Sequence, residues 1–213
     1  MVTATPQSRR EERRDERRDG ILDVARDCFL ADGYAATSMS TIAARLGGSK
    51  GTLYNYFKSK EELFEAVMQR QCGALAETLF DVDHDGDDMR ERLQHFAGKF
   101  LTLLLTPESL GIHRVVVGET GRFPELGRMF YDMGPKVILT KIAGYLSDLM
   151  DQGVLRRADP FVAAQQFKDL TISGVLQPRT WGVITGDMTD AEIENQVNNA
   201  VDTFLRAYRP DLA

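Results

Sequence analysis

Cysteine is scarce in this chain of 213 residues, which holds only Cys28 and Cys72. Both fall on the apolar faces of predicted helices, so they read as reduced core residues rather than a disulfide or a metal pair. Histidine is nearly as scarce. His84, His95 and His113 begin no His-x-x-x-His or Glu-x-x-His pattern. There is no Gly-x-Ser-x-Gly elbow, phosphate loop or dinucleotide fingerprint either. The expectation is a protein that is not an enzyme, with no catalytic residues, no metal and no cofactor. Long apolar runs are missing as well. Nothing approaches the roughly 20 residues that span a bilayer, and the N-terminus has no apolar core of the signal-peptide kind. No membrane association is therefore expected, and the expected location is the cytoplasm. No internal repeat is present.

Basic charge is in deficit overall. The net charge is −6, which argues against a wholly basic nucleic-acid binder. Its distribution is uneven, however. Residues 1–60 hold eleven Lys/Arg against eight Asp/Glu, and residues 61–213 hold fifteen against twenty-four. A positive N-terminal part on a negative remainder orients a molecule head first toward a polyanion.

The most informative stretch is 37–57, TSMSTIAARLGGSKGTLYNYF, followed by KSKEELF at 58–64. Ser38 suits the cap of a first short helix burying Met39, Ile42, Ala43 and Leu46. Gly47 and Gly48 supply a turn that tolerates positive φ. Ser49 suits the cap of a second helix over 50–56, and Ser59 with Glu62 forms a capping box opening a third. Two helices across a glycine turn are the helix-turn-helix pattern, whose second helix enters the DNA major groove. With Leu53 and Phe57 facing the core, Lys50, Thr52, Tyr54, Asn55 and Tyr56 lie on or near the open face. These types suit phosphates and base edges. Gly51 lets the helix N-terminus and its free amides approach closely.

The rest reads as helices. Residues 9–19 are a mixed-charge run with opposite charges at i,i+3 and i,i+4, which favours a solvated helix or a frayed arm. Its arginines either play no part or reach phosphates or the minor groove. Ile21, Ala25, Cys28 and Phe29 share one helical face, and Gly33 ends that helix. A helix from Lys60 continues through Leu63, Val67, Leu75 and Leu79, far enough to link one domain mechanically to the next. Residues 81–88, DVDHDGDD, match the first half of a calcium loop, but Arg92 stands where the closing carboxylate belongs, so an acidic loop is expected. Met89, Leu93, Phe96, Ala97, Phe100 and Leu104 form a helical face that Pro107 stops. The segment 112–119 is expected as a short helix. A long helix from Pro124 to about Gly153 kinks at Gly134 and Pro135. Asp159 and Pro160 open another, which kinks or ends at Gln177 and Pro178. Thr189 and Glu192 form a capping box ahead of the stripe Ile193, Val197, Ala200, Val201 and Phe204.

The expected fold is all-α with about nine helices. It divides into a charged N-terminal arm (1–17), a three-helix helix-turn-helix DNA-binding domain (18–64) and a larger helical ligand-binding and dimerisation domain (65–213).

The residues Gly33-Tyr34-Ala35-Ala36-Thr37-Ser38, Ile42-Ala43, Leu46-Gly47, the run 49–57 and the run 59–64 strongly resemble the DNA-binding head of TetR-type transcriptional regulators. The resemblance covers about the first third of the chain. Gly48 departs from it, standing where the family often has a small apolar residue. Arg122-Phe-Pro-Glu-Leu, Phe130-Tyr131 and Gly134-Pro135 resemble the C-terminal domain of the AefR-like subgroup. The resemblance implies a repressor of palindromic double-stranded operator DNA, a homodimer through the last two helices, and release by a small hydrophobic effector. Thr52, Tyr54 and Asn55 are then candidates for base edges, with phosphate the alternative for Asn55. Thr37, Ser38, Ser40, Lys50, Tyr56 and Lys60 are candidates for phosphate anchoring, with Gly51 at the close approach. Phe96, Phe100, His113, Glu119, Phe130, Met133, Phe167, Gln177 and Trp181 are candidate effector contacts, as aromatic and sulfur-bearing surface interrupted by a few polar groups. A competing reading keeps the helical effector- or protein-binding module and drops DNA reading.

Overall fold

The structure, a computed structural model, describes residues 6–80 and 88–210, and of residues 6–10 the backbone alone. Its described elements are all helices: α1 (Pro6–Ala36), α2 (Met39–Arg45), α3 (Lys50–Tyr56), α4 (Lys60–Phe80), α5 (Met89–Leu104), α6 (Pro107–Glu119), α7 (Pro124–Met133), α8 (Pro135–Asp151), α9 (Pro160–Ile172), α10 (Leu176–Thr180) and α11 (Asp190–Tyr208). No single helix among the described residues is long and apolar enough to cross a membrane.

The all-α class is as expected, and two of the predicted helices are each divided. The helix from Pro124 breaks at Gly134 into α7 and α8, where a kink is predicted. A Cβ on Gly134 would stand 3.1 Å from Sγ of Cys72 and 3.3 Å from the carbonyl of Phe130, so close packing requires glycine. The helix from Pro160 ends at Ile172, earlier than Gln177 and Pro178. Gly174 takes φ +74°, and the amide nitrogen of Gln196 lies 3.2, 2.9 and 3.1 Å from the carbonyls of Leu170, Thr171 and Ser173. That side chain closes α9, and Pro178 falls inside α10. Residues 115–117, strand-like in composition, are helical within α6. Apart from Asp88, the acidic stretch 81–88 lies outside the described residues.

The chain forms two compact units, Met1–Gln71 with Val115–Met129, and Cys72–Arg114 with Phe130–Ala213. The first unit reaches beyond residue 64 and takes in a segment the sequence reading assigns to the larger domain. The reason is local. Phe123 packs edge-on to Tyr34 at 5.1 Å, and Oε1 of Glu119 accepts a 2.8 Å bond from the Ala35 amide.

In the first unit Ile21, Leu22, Ala25, Cys28 and Phe29 of α1 are buried. The helix breaks at Gly33, which takes φ +78°. Tyr34, Phe29 and Phe64 then meet at 5.1–5.8 Å in stacked and edge-on pairs. The expected separate arm is, where described, the N-terminal part of α1, with residues 11–19 exposed.

In the second unit α5, α8, α9 and α11 share one core, with Leu93, Leu101, Ile138, Ile142, Leu146, Ala163, Phe167, Val201 and Phe204 buried. Burying each large apolar side chain stabilises by about 1.5–3 kcal/mol. The rings of Phe96, Phe100, Phe167, Phe204 and Tyr208 run through this core in pairs 4.5–6.1 Å apart. Helix ends are capped as predicted: Asp159 accepts from the amides of Phe161 and Val162, and Thr189 and Glu192 make a reciprocal capping box.

Candidate functional site

The geometry of the glycine turn sets the reading surface. The Ser38 hydroxyl accepts from the Thr41 amide at 3.1 Å and starts α2. At its end Gly47 takes φ +63°. The amide of Gly48 bonds the carbonyl of Ala43 and that of Gly47 bonds Ala44, which is the Schellman closure of a helix. One residue later Ser49 caps α3, accepting from the Thr52 amide at 3.2 Å. Such serine caps contribute about 1 kcal/mol each. Together they hold two seven-residue helices that are too short to persist alone.

Leu53 and Phe57 anchor α3, at 1% and 2% exposure. Their burial leaves Lys50, Gly51, Tyr54 and Asn55 exposed, with Thr52 and Tyr56 half-buried beside them. Ser38 and Ser40 are exposed at the start of α2. Eight of the ten DNA candidates therefore lie on α2, α3 or the α2 cap. The Thr52 hydroxyl is 3.0 Å from that of Ser49, so part of its hydrogen-bonding capacity is used locally. Two arginines of α1 flank the same surface. The Arg18 guanidinium lies 5.4 Å over the Phe57 ring, and Nη2 of Arg17 is 3.5 Å from where a Gly48 side chain would begin. The sequence reading treats these arginines only as members of an arm. Their mixed-charge setting hides that one helix carries them to the turn.

Thr37 is a correction. It is 2% exposed, and its hydroxyl lies 2.7 Å from the Gly33 carbonyl and 3.2 Å from that of Cys28. It closes the end of α1 and is not available to a phosphate. Lys60 is half-committed. Its ammonium donates to the Tyr34 carbonyl at 2.8 Å and lies 4.1 Å over the Tyr34 ring. Burial pushes its pKa below the usual lysine range, and two of its three N–H groups stay uncommitted by that bond. Tyr34 itself donates to Glu61 at 3.1 Å. Burial, with Glu61 beside it, pushes the phenol above the ordinary tyrosine range.

The effector candidates scatter. Phe100 and Phe167 are core residues, 5% and 0% exposed, and their rings are taken up by aromatic neighbours. Glu119 belongs to the first unit and holds the Ala35 amide, so it is corrected from an effector contact to a structural acceptor. Trp181 is 71% exposed, and Gln177 is exposed on α10. Phe96, Phe130 and Met133 are half-buried. His113 meets Phe130 edge-on at 6.3 Å, its Nδ1 buried without a partner. Two open grooves of about 550 and 600 Å³ mark the second unit. The first is lined by Glu77, Thr78, Phe80, Lys99 and Lys141; the second includes Gln94, His95, Gly98 and Asn198. Neither takes in any of the nine candidates. The apolar stripe of α11 also turns inward: Val197, Ala200, Val201 and Phe204 are all buried in the chain's own core. The exposed apolar residues of the α9–α10 region are instead Val162, Trp181, Val183 and Ile184.

Arg179 was missed. It is 8% exposed, with Nη1 on the Val175 carbonyl at 3.3 Å and Nε buried without a partner. Nothing in a sequence separates a buried arginine from the many exposed ones, and the misplaced helix break removed its setting.

Comparison with known proteins shows the family and agrees with the all-α fold. Residues 91–210 match the AefR-like transcriptional repressor C-terminal domain, and residues 21–67 match the bacterial regulatory proteins of the tetR family. The solved structure of the flavonoid-responsive regulator FrrA is 32% identical and superposes with a TM-score of 0.81 over 93% of this chain and 100% of that one. A TetR family regulator from Pseudomonas syringae pv. tomato is 31% identical, with a TM-score of 0.75 over 92% of this chain and 98% of that one. The transcriptional activator FasR of Mycolicibacterium smegmatis is 42% identical over 74 residues, 35% of this chain and 34% of FasR. The fatty acid metabolism regulator protein of Bacillus subtilis is 28% identical over 43% of this chain and 47% of its own length. The chain thus spans a third to a half of these two curated relatives.

Proposed function

Since the chain belongs to the TetR family of bacterial transcriptional regulators and carries an AefR-like C-terminal domain, we propose that it is a ligand-responsive repressor acting on a palindromic operator in the cytoplasm. One observation carries the reading: a doubly capped α2–turn–α3 whose second helix buries only Leu53 and leaves Lys50, Tyr54 and Asn55 exposed. Thr52, Tyr54 and Asn55 read base edges. Ser38, Ser40, Lys50, Tyr56 and the uncommitted N–H groups of Lys60 meet phosphates, with Gly51 at the close approach.

A single head makes few base contacts, and a two-fold dimer doubles them on half-sites about 34–36 Å apart or a multiple of that. The homodimer forms through the last two helices, with the exposed Trp181, Val183 and Ile184 in the turn between them and Val162 on α9 adding apolar surface. A small, largely apolar effector binds the second unit among Phe96, His113, Phe130 and Met133. Similarity to a flavonoid-responsive regulator and to a fatty acid metabolism regulator supports an effector of mostly apolar character. It releases the operator by favouring another tilt of α4 and so another head separation. Full release in one step needs about 10⁴-fold differential affinity.

The test is a footprint of the purified protein on the DNA upstream of its own gene at two salt concentrations. A protected palindrome whose protection weakens with salt supports the proposal. No protection there or on random genomic fragments, even at low salt, sinks it in favour of a helical binding module without DNA reading.

A further inference from the structure

The charged run ahead of Ile21 is mixed in sequence but sorted in space. α1 is helical from Pro6, so spacing decides which charges share a face. Arg14, Arg17 and Arg18 stand seven, four and three residues before Ile21, which puts them in line with the buried stripe Ile21, Leu22, Ala25, Cys28 and Phe29. Arg13, four residues before Arg17, borders them. Glu12, Asp15, Glu16 and Asp19 repeat the same helical spacing on the opposite side. Residues 11–19 are all exposed. Glu11 and Arg14, Arg13 and Glu16, and Asp15 and Arg18 are spaced for i,i+3 pairs, yet among the described residues none of the four arginines closes an ion pair. Asp19 is met instead by Arg70 of α4, at 3.9 Å. The arginine face continues directly into the reading surface: Arg17 reaches the glycine turn at Gly48, and Arg18 lies over Phe57 at the end of α3.

We propose that this N-terminal part of α1 is a second DNA-contacting element, and that Arg14, Arg17 and Arg18, with Arg13 at the edge, bind the phosphates of the duplex that flank the groove entered by α3. The assignment rests on the reading of the first unit as a DNA-binding head, and it extends that head beyond the helix-turn-helix. An exposed row of unpaired guanidinium groups complements a row of phosphates, and each planar fork matches two phosphate oxygens. A helix with its side chains is about 10–12 Å across and the minor groove about 6 Å wide. A helix carrying these arginines therefore stays on the backbone and does not enter that groove. The acidic face serves the same geometry. Turned away from the duplex it avoids repulsion, and it disfavours any docking of the segment in which the acids would face the phosphates.

The experiment uses the full chain and two duplexes of equal length, one from the DNA upstream of its own gene and one of mixed sequence. Fluorescence anisotropy reads binding to each over a series of salt concentrations. In the triple variant Arg14→Gln, Arg17→Gln, Arg18→Gln the slope of log affinity against log salt is expected to become shallower by about one unit per arginine in each bound protomer, on both duplexes alike. The corresponding triple lysine variant keeps the charges and keeps the slope. The triple variant Glu12→Gln, Asp15→Asn, Glu16→Gln changes the net charge by as much in the other direction and leaves the slope within about half a unit of wild type, because slope counts phosphates neutralised and not total charge. Circular dichroism checks folding. Arg14→Gln alone, which disturbs neither the Gly48 nor the Phe57 contact, carries the test with about one unit if the triple variant fails to fold. Any of four results overturns the inference: a slope that survives the glutamine substitutions, a loss confined to one duplex, a lysine variant as shallow as the glutamine one, or an acidic-face variant that steepens the slope as much as the arginine variant flattens it. Wild-type binding, run alongside, separates this from failure of the regulator reading, in which neither duplex is bound even at low salt.

Discussion

The two units treat their buried polar groups in opposite ways. In the first, each buried side-chain nitrogen or oxygen of the described residues has a protein partner. Thr37 closes α1, Tyr34 bonds Glu61, Lys60 bonds the Tyr34 carbonyl, and Glu119 holds the Ala35 amide. In the second, Nδ1 of His113 and Nε of Arg179 are buried without one. A satisfied network in a low-dielectric interior rigidifies its surroundings, and an orphaned group is a standing cost. The difference separates two tasks. The first unit presents α3 in one preset geometry, so little ordering remains to be done when a groove arrives. The second leaves these nitrogens without that restraint.

The largest effect tests whether the units are separate at all. Phe64 and Phe204 are both fully buried, one beside Phe29 and Tyr34, the other between Phe167 and Tyr208. Either change to alanine costs about 3–5 kcal/mol. The single tryptophan, Trp181, lies in the second unit. In urea, Phe64→Ala is expected to shift the circular dichroism transition ahead of the Trp181 fluorescence transition, and Phe204→Ala to move the fluorescence transition first. Coincident shifts by both probes in both variants would dissolve the division on which the comparison stands.

The next effect probes the preset surface. Asn55→Ala is expected to narrow the gap between operator and random DNA by about 1–3 kcal/mol. Lys50→Ala is expected to weaken all sequences alike and make the slope of log affinity against log salt about one unit shallower. Binding titrations at four salt concentrations read both. An Asn55→Ala variant that weakens random DNA as much as operator would reassign Asn55 to a phosphate.

The outline of this surface was legible in the sequence because its determinants are local. Ser38, Ser49, Thr189 and Asp159 cap within three residues, and Gly47 closes a helix over five. Such features read directly from spacing. What was not legible depends on distant partners. Thr37 has a phosphate-seeking residue type, and only the return of the chain at Gly33 buries its hydroxyl. Glu119 sits in an apolar helix, and its acceptor role needs the Ala35 amide, 84 positions away. Arg179 differs from other arginines only by what packs over it. The α11 stripe was read for its periodicity, which predicts burial without telling whose core does the burying.

Glu119 yields a smaller effect that sharpens the contrast from the first unit's side. Glu119→Gln keeps the shape and removes the charge, so its bond to Ala35 falls from a charge-assisted one to an ordinary one, a loss of about 1 kcal/mol. Native-state hydrogen exchange reads it directly: the Ala35 amide is expected to exchange several times faster. Unchanged protection of Ala35 would mean that the amide is shielded by packing, and that Glu119 is not part of the network.

The smallest effect comes from His113 in the second unit. Burial, with the Arg114 charge adding to it, pushes the His113 pKa below its ordinary 6.5. The folded state therefore takes up its proton later than the unfolded state as pH falls. Between 6.5 and the lower folded value the unfolded chain binds more protons, so stability rises with pH across that window and is lost as pH drops through it. Above 6.5 both states are neutral at this residue and it contributes no slope. His113→Asn removes the titration while keeping a polar side chain of similar size. Urea midpoints of wild type and variant are expected to run parallel from pH 8 to 7, with the wild type falling more steeply below about 6.5. Parallel curves throughout would mean that the His113 ring finds water or a partner on folding, and the contrast between the units would lose that support.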